Sequence, residues 1–143
     1  MDLSLIYIFF LVLSISSVES CILQNEMQIH IINRLPPNSP QLKLHCASKG
    51  NDLGERLPAI DEDINWSVCE GFFFNEVYFC KFWWGTKEKG LQVYNDPFYC
   101  VEDSDDYNHV DNCKWEVRKD GFYLQQTNHT DGSYYMYHYL DWS

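Results

Sequence analysis

The stretch Phe79-Cys80-Lys81-Phe82-Trp83-Trp84-Gly85-Thr86-Lys87-Glu88-Lys89-Gly90-Leu91-Gln92-Val93-Tyr94-Asn95 decides how the chain is read. Side chains alternate across a strand, so Tyr78, Cys80, Phe82 and Trp84 share one face while Phe79, Lys81 and Trp83 share the other. Leu91 and Val93 repeat the inward spacing on the return. Between the two runs, Gly85 to Gly90 is short, polar and bounded by glycine, the composition of a hairpin connection. The stretch therefore predicts two antiparallel strands with one face in a core.

Working towards the N-terminus, Ile64, Trp66 and Val68 mark another strand, and the polar, acidic segment Lys49 to Asp63 reads as a long surface loop with room for one helical turn. Leu42, Leu44 and Cys46 alternate against Lys43 and His45, and Met27, Ile29 and Ile31 against Gln28 and His30, so Gln41–Ser48 and Glu26–Asn33 are strands. Pro36, Pro37 and Pro40 cannot donate to a sheet ladder and make the segment between them a loop. Towards the C-terminus, Asp96 to Asn112 is a second long loop carrying Glu102, Asp103, Asp105, Asp106 and Asp111, bracketed by Cys100 and Cys113. Trp115 and Val117, then Phe122–Gln126, then the tyrosine-rich Ser133–Trp142 are strands separated by the turn signals Asp120-Gly121 and Asp131-Gly132. Seven to eight short strands and no amphipathic helix predict an all-β fold, a small antiparallel β-sandwich with long loops, stabilised by disulfides.

Leu3 to Ile15 is apolar but short for a membrane span, and Val18 and Ser20 supply a small-residue cleavage site, so residues 1–20 read as a secretory signal peptide and 21–143 as a single domain. No other stretch is apolar enough to insert in a bilayer, and an exported, extracellular monomer is expected. All six cysteines, Cys21, Cys46, Cys69, Cys80, Cys100 and Cys113, lie after residue 20. Disulfides persist in that compartment, and no C-x-x-C pair is present for zinc; the count alone leaves the connectivity open.

The formal net charge of −11 becomes −9 once Asp2 and Glu19 leave with the leader. Such a surface disfavours nucleic acid and anionic lipid. His30, His45, His109, His129 and His138 have no Ser or Cys with a paired acid arranged around them, so no catalytic residue is assigned. The acidic cluster lacks the glycine and terminal glutamate spacing of a calcium-binding EF-hand loop, and no metal or cofactor is expected.

Taken in order, several pieces resemble the plant self-incompatibility S-protein family, small secreted proteins typified by a stigma determinant of field poppy. They are Ile29-His30-Ile31-Ile32-Asn33-Arg34-Leu35, Leu42-Lys43-Leu44-His45-Cys46-Ala47-Ser48-Lys49, Asp52-Leu53-Gly54, Trp66-Ser67-Val68, Phe79-Cys80-Lys81-Phe82 with Trp84 and Val93-Tyr94-Asn95, and Cys113-Lys114-Trp115-Glu116-Val117 with Asp120-Gly121-Phe122-Tyr123. The resemblance implies a β-sandwich and a non-enzymatic signalling ligand for a cell-surface receptor, which in poppy sits in the pollen membrane and triggers calcium entry and arrest of self pollen. The secreted ribonucleases of other self-incompatibility systems need HGLW-like and KHG-like histidine contexts, which are absent here.

Against the family's four-cysteine pattern Cys21 and Cys69 look additional, so they are expected to pair with each other. Cys46 and Cys80 both point inward from strands, which motivates Cys46–Cys113 and Cys80–Cys100 for the rest. Because binding residues concentrate in loops on a rigid scaffold, the receptor-reading candidates are Asp52, Glu55, Asp61 and Glu62 in the first long loop and Glu102, Asp103, Asp105 and Asp106 in the second. Trp83 joins them as an outward-facing indole. The sequons at Asn128 and Asn65 are glycosylation candidates, Asn128 the more accessible because Asn65 adjoins an inward Trp66. A different reading makes the protein a secreted plant defence protein that binds glycans or microbial surfaces, with Trp83 and the tyrosines of Ser133–Trp142 as one stacking platform.

Overall fold

A computed structural model of the chain describes residues 3–7, 21, 25–70, 76–97, 99–102 and 112–143. Nine strands form two sheets: β1 (Asn25–Asn33), β2 (Leu42–Ala47), β3 (Asp52–Arg56), β4 (Asp63–Glu70), β5 (Tyr78–Trp84), β6 (Lys87–Tyr94), β7 (Asn112–Arg118), β8 (Gly121–Thr127) and β9 (Tyr134–Leu140). One sheet has the order β4-β1-β7-β8-β9 and the other β3-β2-β5-β6. The predicted sandwich is the fold, and all but one of its strand pairs are antiparallel. The exception is β1 with β7, which run parallel with Ile29 opposite Cys113 and Ile31 opposite Trp115.

The ninth strand is β3, which occupies part of the segment expected to be loop. Asp52 pairs with Ala47, Glu55 with His45 and Arg56 with Leu44, across a bulge between His45 and Ala47. The central hairpin is tighter than expected: Trp84 pairs with Lys87, so only Gly85 and Thr86 remain outside the ladder. Gly85 has φ 59°, the conformation that a two-residue turn of type II′ asks of its first central residue.

Inward residues of both sheets meet in one core. Met27, Ile29 and Ile31 of β1, Leu42, Leu44 and Cys46 of β2, Tyr78, Cys80 and Phe82 of β5, Leu91 and Val93 of β6, Trp115 and Val117 of β7, and Phe122 and Leu124 of β8 are all buried. The indole nitrogen of Trp115 donates to the carbonyl of Val93 at 2.9 Å, joining β7 to β6 across the sandwich. At one end Phe82 meets Phe122 (4.9 Å between ring centroids), Phe122 meets Trp142 (4.7 Å) and Trp142 meets Trp84 (5.7 Å). Trp142 lies beyond the last strand, and its indole nitrogen donates to the carbonyl of Arg118 at 2.8 Å. The final tryptophan is thus a plug for the core, and the strand at the C-terminus stops at Leu140.

Asn33 explains why its stretch is distinctive. Its buried side chain donates to the Pro58 carbonyl at 3.1 Å and accepts from the Leu35 amide at 3.0 Å, and Gln41 Nε2 donates to the same Pro58 carbonyl at 2.8 Å. A buried amide left unpaired would cost on the order of 1–3 kcal/mol, so both loops are held where Asn33 needs them.

The bridges are Cys46–Cys80, Cys100–Cys113 and Cys21–Cys69, with Cα separations of 4.0, 5.7 and 5.4 Å. The expected Cys46–Cys113 and Cys80–Cys100 pairs are therefore corrected. Cys46 and Cys80 are direct partners in the β2–β5 register, so two inward thiols reach each other before either can reach the opposite sheet. Cys100 and Cys113 close the second acidic loop at its base.

Two outcomes follow from this packing. Peptide mapping of the unreduced protein will link Cys46 to Cys80 and Cys100 to Cys113, and the double change Cys100→Ser with Cys113→Ser will cost ~3 kcal/mol in urea unfolding, the value for a loop of about that length. Gly121 has φ 151°, and a Cβ there would stand 2.2 Å from the Leu140 carbonyl oxygen. Gly121→Ala will therefore lower the unfolding free energy by roughly 2 kcal/mol or more, measured in the same way.

Candidate functional site

The acidic residues of the first loop are exposed but engaged. Asp52, opening β3, accepts from His45 Nε2 at 2.5 Å and from the Gly54 amide at 2.9 Å. The Gly54 amide, and after it His45, hold its carboxyl below the ordinary aspartate range. Glu55 lies 3.9 Å from Lys43 Nζ. Asp61, at φ 68° in the β3–β4 turn, accepts from Arg34 Nη1 at 2.7 Å, and Glu62 accepts from the Ala59 amide at 3.0 Å. Arg34, whose Nε also reaches Glu116 at 3.4 Å, is raised above its usual pKa chiefly by Asp61. These four carboxylates help shape the loop and the edge of the sheet as well as facing solvent.

The second loop lies elsewhere. Glu102 is exposed, its amide donating to Asn95 Oδ1 at 2.7 Å, and it borders a groove of about 830 Å³ between β6 and β9 with Gln92, Asn95, Tyr137 and Tyr139. Asp103, Asp105 and Asp106 are outside the described residues. Because β3 and β6 are opposite edges of the four-stranded sheet, Asp52 and Glu55 sit across that sheet from Glu102. The two acidic sets are not brought into one patch by the described residues.

Trp83 stands between them, on the outer face of β5. Lys43 Nζ is 4.5 Å and Lys81 Nζ 5.3 Å from the centre of its ring. Lys43 is the β2 partner of Trp83 and Lys81 is two positions along β5, which is why both ammonium groups reach one indole. Periodicity shows each of these lysines facing outward; only the strand pairing shows that they converge. The tyrosines of β9 belong to the other sheet, so Trp83 and the C-terminal tyrosines do not form a common platform.

His30 and His138 serve as connectors. His30 contacts Asp63 at 2.8 Å and Asn112 at 3.1 Å, tying β1 to β4 and β7. His138 contacts Asp141 at 2.7 Å and Tyr123 at 3.1 Å, while the Tyr123 hydroxyl donates to Asp120 at 2.5 Å. That hydroxyl holds the Asp120 carboxyl below its usual range, and the carboxylate in turn raises the Tyr123 phenol. All six cysteines are in disulfides, which removes the thiol nucleophile. Among the described residues no cluster of three or more His, Cys, Asp or Glu could hold a metal ion.

Asn65 is exposed on β4, on the outer face of the five-stranded sheet, where it was expected to be the less accessible sequon. Its strand neighbour Trp66 turns the other way and is only half-buried. Asn128 is exposed in the β8–β9 turn, accepting from the Thr130 amide at 2.9 Å. Of the residues expected to form a leader, 1–2 and 8–20 are outside the described residues; residues 3–7 are helical, and no described helix is long and apolar enough to cross a membrane.

Comparison with known proteins bears on the whole sandwich. The family model for plant self-incompatibility protein S1 matches residues 28–142, from the fourth residue of β1 to the Trp142 plug. S-protein homolog 24 of Arabidopsis thaliana is 31% identical over 103 residues, covering 72% of this chain and 64% of its own length. S-protein homolog 19 of the same plant is 33% identical over 95 residues, 66% of each chain. Self-incompatibility protein S1 of Papaver rhoeas is 30% identical over 97 residues, 68% of this chain and 66% of its own. The matched region thus spans just under two thirds of the length of these relatives. The chain belongs to the plant self-incompatibility protein S1 family.

Proposed function

We propose that the protein is a secreted signalling ligand, exported after removal of residues 1–20 and recognised outside the cell by a cell-surface receptor protein. The observation that carries this reading is the family match over residues 28–142, which includes a poppy protein named for self-incompatibility. In the reading taken from that system, recognition opens calcium entry and arrests self pollen. The chemistry of the fold is consistent with recognition instead of turnover. Its thiols are spent on bridges, and His30, His45 and His138 are hydrogen-bonded to carboxylates, an amide and a phenol.

The receptor-reading surface is assigned to the two acidic segments at the rims of the four-stranded sheet. Of these the second carries the proposal further. In the first, Asp52 and Asp61 are hydrogen-bonded within the protein, so altering them perturbs the fold as well as any contact. The second is closed at its base by Cys100–Cys113, which fixes where the segment leaves and rejoins the sandwich.

Charge reversal of Asp103, Asp105 and Asp106 together is expected to reduce the response of receptor-bearing cells at least tenfold, read as cytosolic calcium and, for pollen, tube growth. Secretion and thermal midpoint should stay unchanged. Full response in that variant would remove the second loop from the reading surface; no response to the unaltered protein in pollen of any genotype would remove the mating role.

A further inference from the structure

The outer face of the four-stranded sheet carries a combination that recognition by acidic loops leaves unused. In a protein of net charge −11, Lys81 makes no ion pair among the described residues; its ammonium rests instead against the Trp83 indole, which also holds Lys43. A cation held on an indole face is worth only about 0.5–1 kcal/mol at an exposed site, so a carboxylate arriving from outside can draw it away.

Phe79 adds a second ring on the same face. It is 48% exposed although it lies on a central strand. Its ring lies across β6 at Gly90, where a Cβ would come within 2.5 Å of Phe79 Cζ and within 3.4 Å of two further ring atoms. Glycine at that position makes room for the tip of the ring to cross onto β6, while the rest of the side chain stays open to solvent. Phe79 and Trp83 are four residues apart on one strand, ~13 Å at the rise of an extended chain. Lys81 falls midway between them.

We propose that this face binds a linear carboxylated polysaccharide, a polymer of uronic-acid pyranose rings. The C–H faces of the sugar rings stack on Trp83 and Phe79, and the carboxylates pair with Lys81 and Lys43. A ring–cation–ring row on a flat surface matches a polymer in which rings and carboxylates repeat. An acidic peptide would gain most from the hydrogen-bonding groups of a sheet edge, which this face does not offer. A lipid surface would call for aromatic side chains that project into it, whereas the tip of Phe79 is turned in against Gly90. Asn65 is on the other sheet and Asn128 in the turn between two of its strands, so glycans attached there would leave this face bare. The proposal goes beyond the receptor reading and stands or falls separately from it.

The test uses the full secreted protein and four immobilised probes: polygalacturonate, the same polymer fully methyl-esterified, polyglutamate, and vesicles containing phosphatidylserine. Binding to polygalacturonate is expected, weakening as salt rises and at least tenfold on esterification. Trp83→Ala and Lys81→Gln should each weaken it at least tenfold, and Lys119→Gln should leave it unchanged. Lys81→Gln removes a charge from the surface without touching the core, so it stays informative should Trp83→Ala fold poorly. Absence of binding, binding indifferent to both variants, or equal or tighter binding to polyglutamate or to the vesicles would each overturn the proposal.

Discussion

The Trp115 indole, buried between the sheets, has one polar atom to satisfy and satisfies it on the opposite sheet, at the carbonyl of Val93. Hydrophobic burial holds two sheets face to face without fixing how far one slides over the other, because it has no direction. A hydrogen bond has one. With Trp115 set against β6, the inward residues of β7 and β8 meet those of β5 and β6 in a single arrangement. The ring contacts that end in Trp142 depend on that arrangement.

Charge is arranged around this core in a way that composition conceals. The molecule is acidic overall, with described carboxylates on both sheets: Asp63, Glu116 and Asp120 on strands and a turn of the five-stranded sheet, and Asp52, Glu55 and Glu88 on the four-stranded sheet. Two lysines and two aromatic rings occupy the middle of that sheet's outer face. Several exposed carboxylates are bound up in the architecture: Asp61 with Arg34, Asp52 with His45, Asp120 with Tyr123. An exposed ion pair such as Asp61 with Arg34 adds little to stability, about 0–1 kcal/mol. What these contacts do is orient turns and strand ends, which determines where the remaining charges point.

Strands with an apolar face were legible from alternation, as β1, β2, β5 and β7 show. The strand that was missed, β3, has the sequence Asp52-Leu53-Gly54-Glu55-Arg56, in which Leu53 alone packs against the core. An edge strand held by backbone pairing leaves almost no periodic trace. The disulfides went wrong for a related reason: alternation says that Cys46 and Cys80 face inward, but only the strand order makes them neighbours. The same limit hid the meeting of Lys43 with Trp83, since that contact lies between segments forty residues apart in the chain. Asn33 was visible as part of a distinctive stretch, while its partner, the Pro58 carbonyl, was not, because backbone groups carry no sequence signature.

The parallel pairing of β1 with β7 has a consequence for how the protein is made. β1 lies second in its sheet, between β4 and a strand that begins about eighty residues later. While the chain is emerging, β1 can have β4 on one side and nothing on the other, and the four-stranded sheet can pair fully with its inner face still uncovered. Contacts between distant segments form slowly. The chain therefore passes through a stage with an exposed apolar surface and with Cys113 not yet in place, during which Cys100 has no correct partner. The Cys46–Cys80 bridge, joining adjacent strands of the four-stranded sheet, and the Cys21–Cys69 bridge, beside the β1–β4 pair, can both close before synthesis ends. Folding quality thus rests on the last quarter of the chain arriving before the first three quarters find other company.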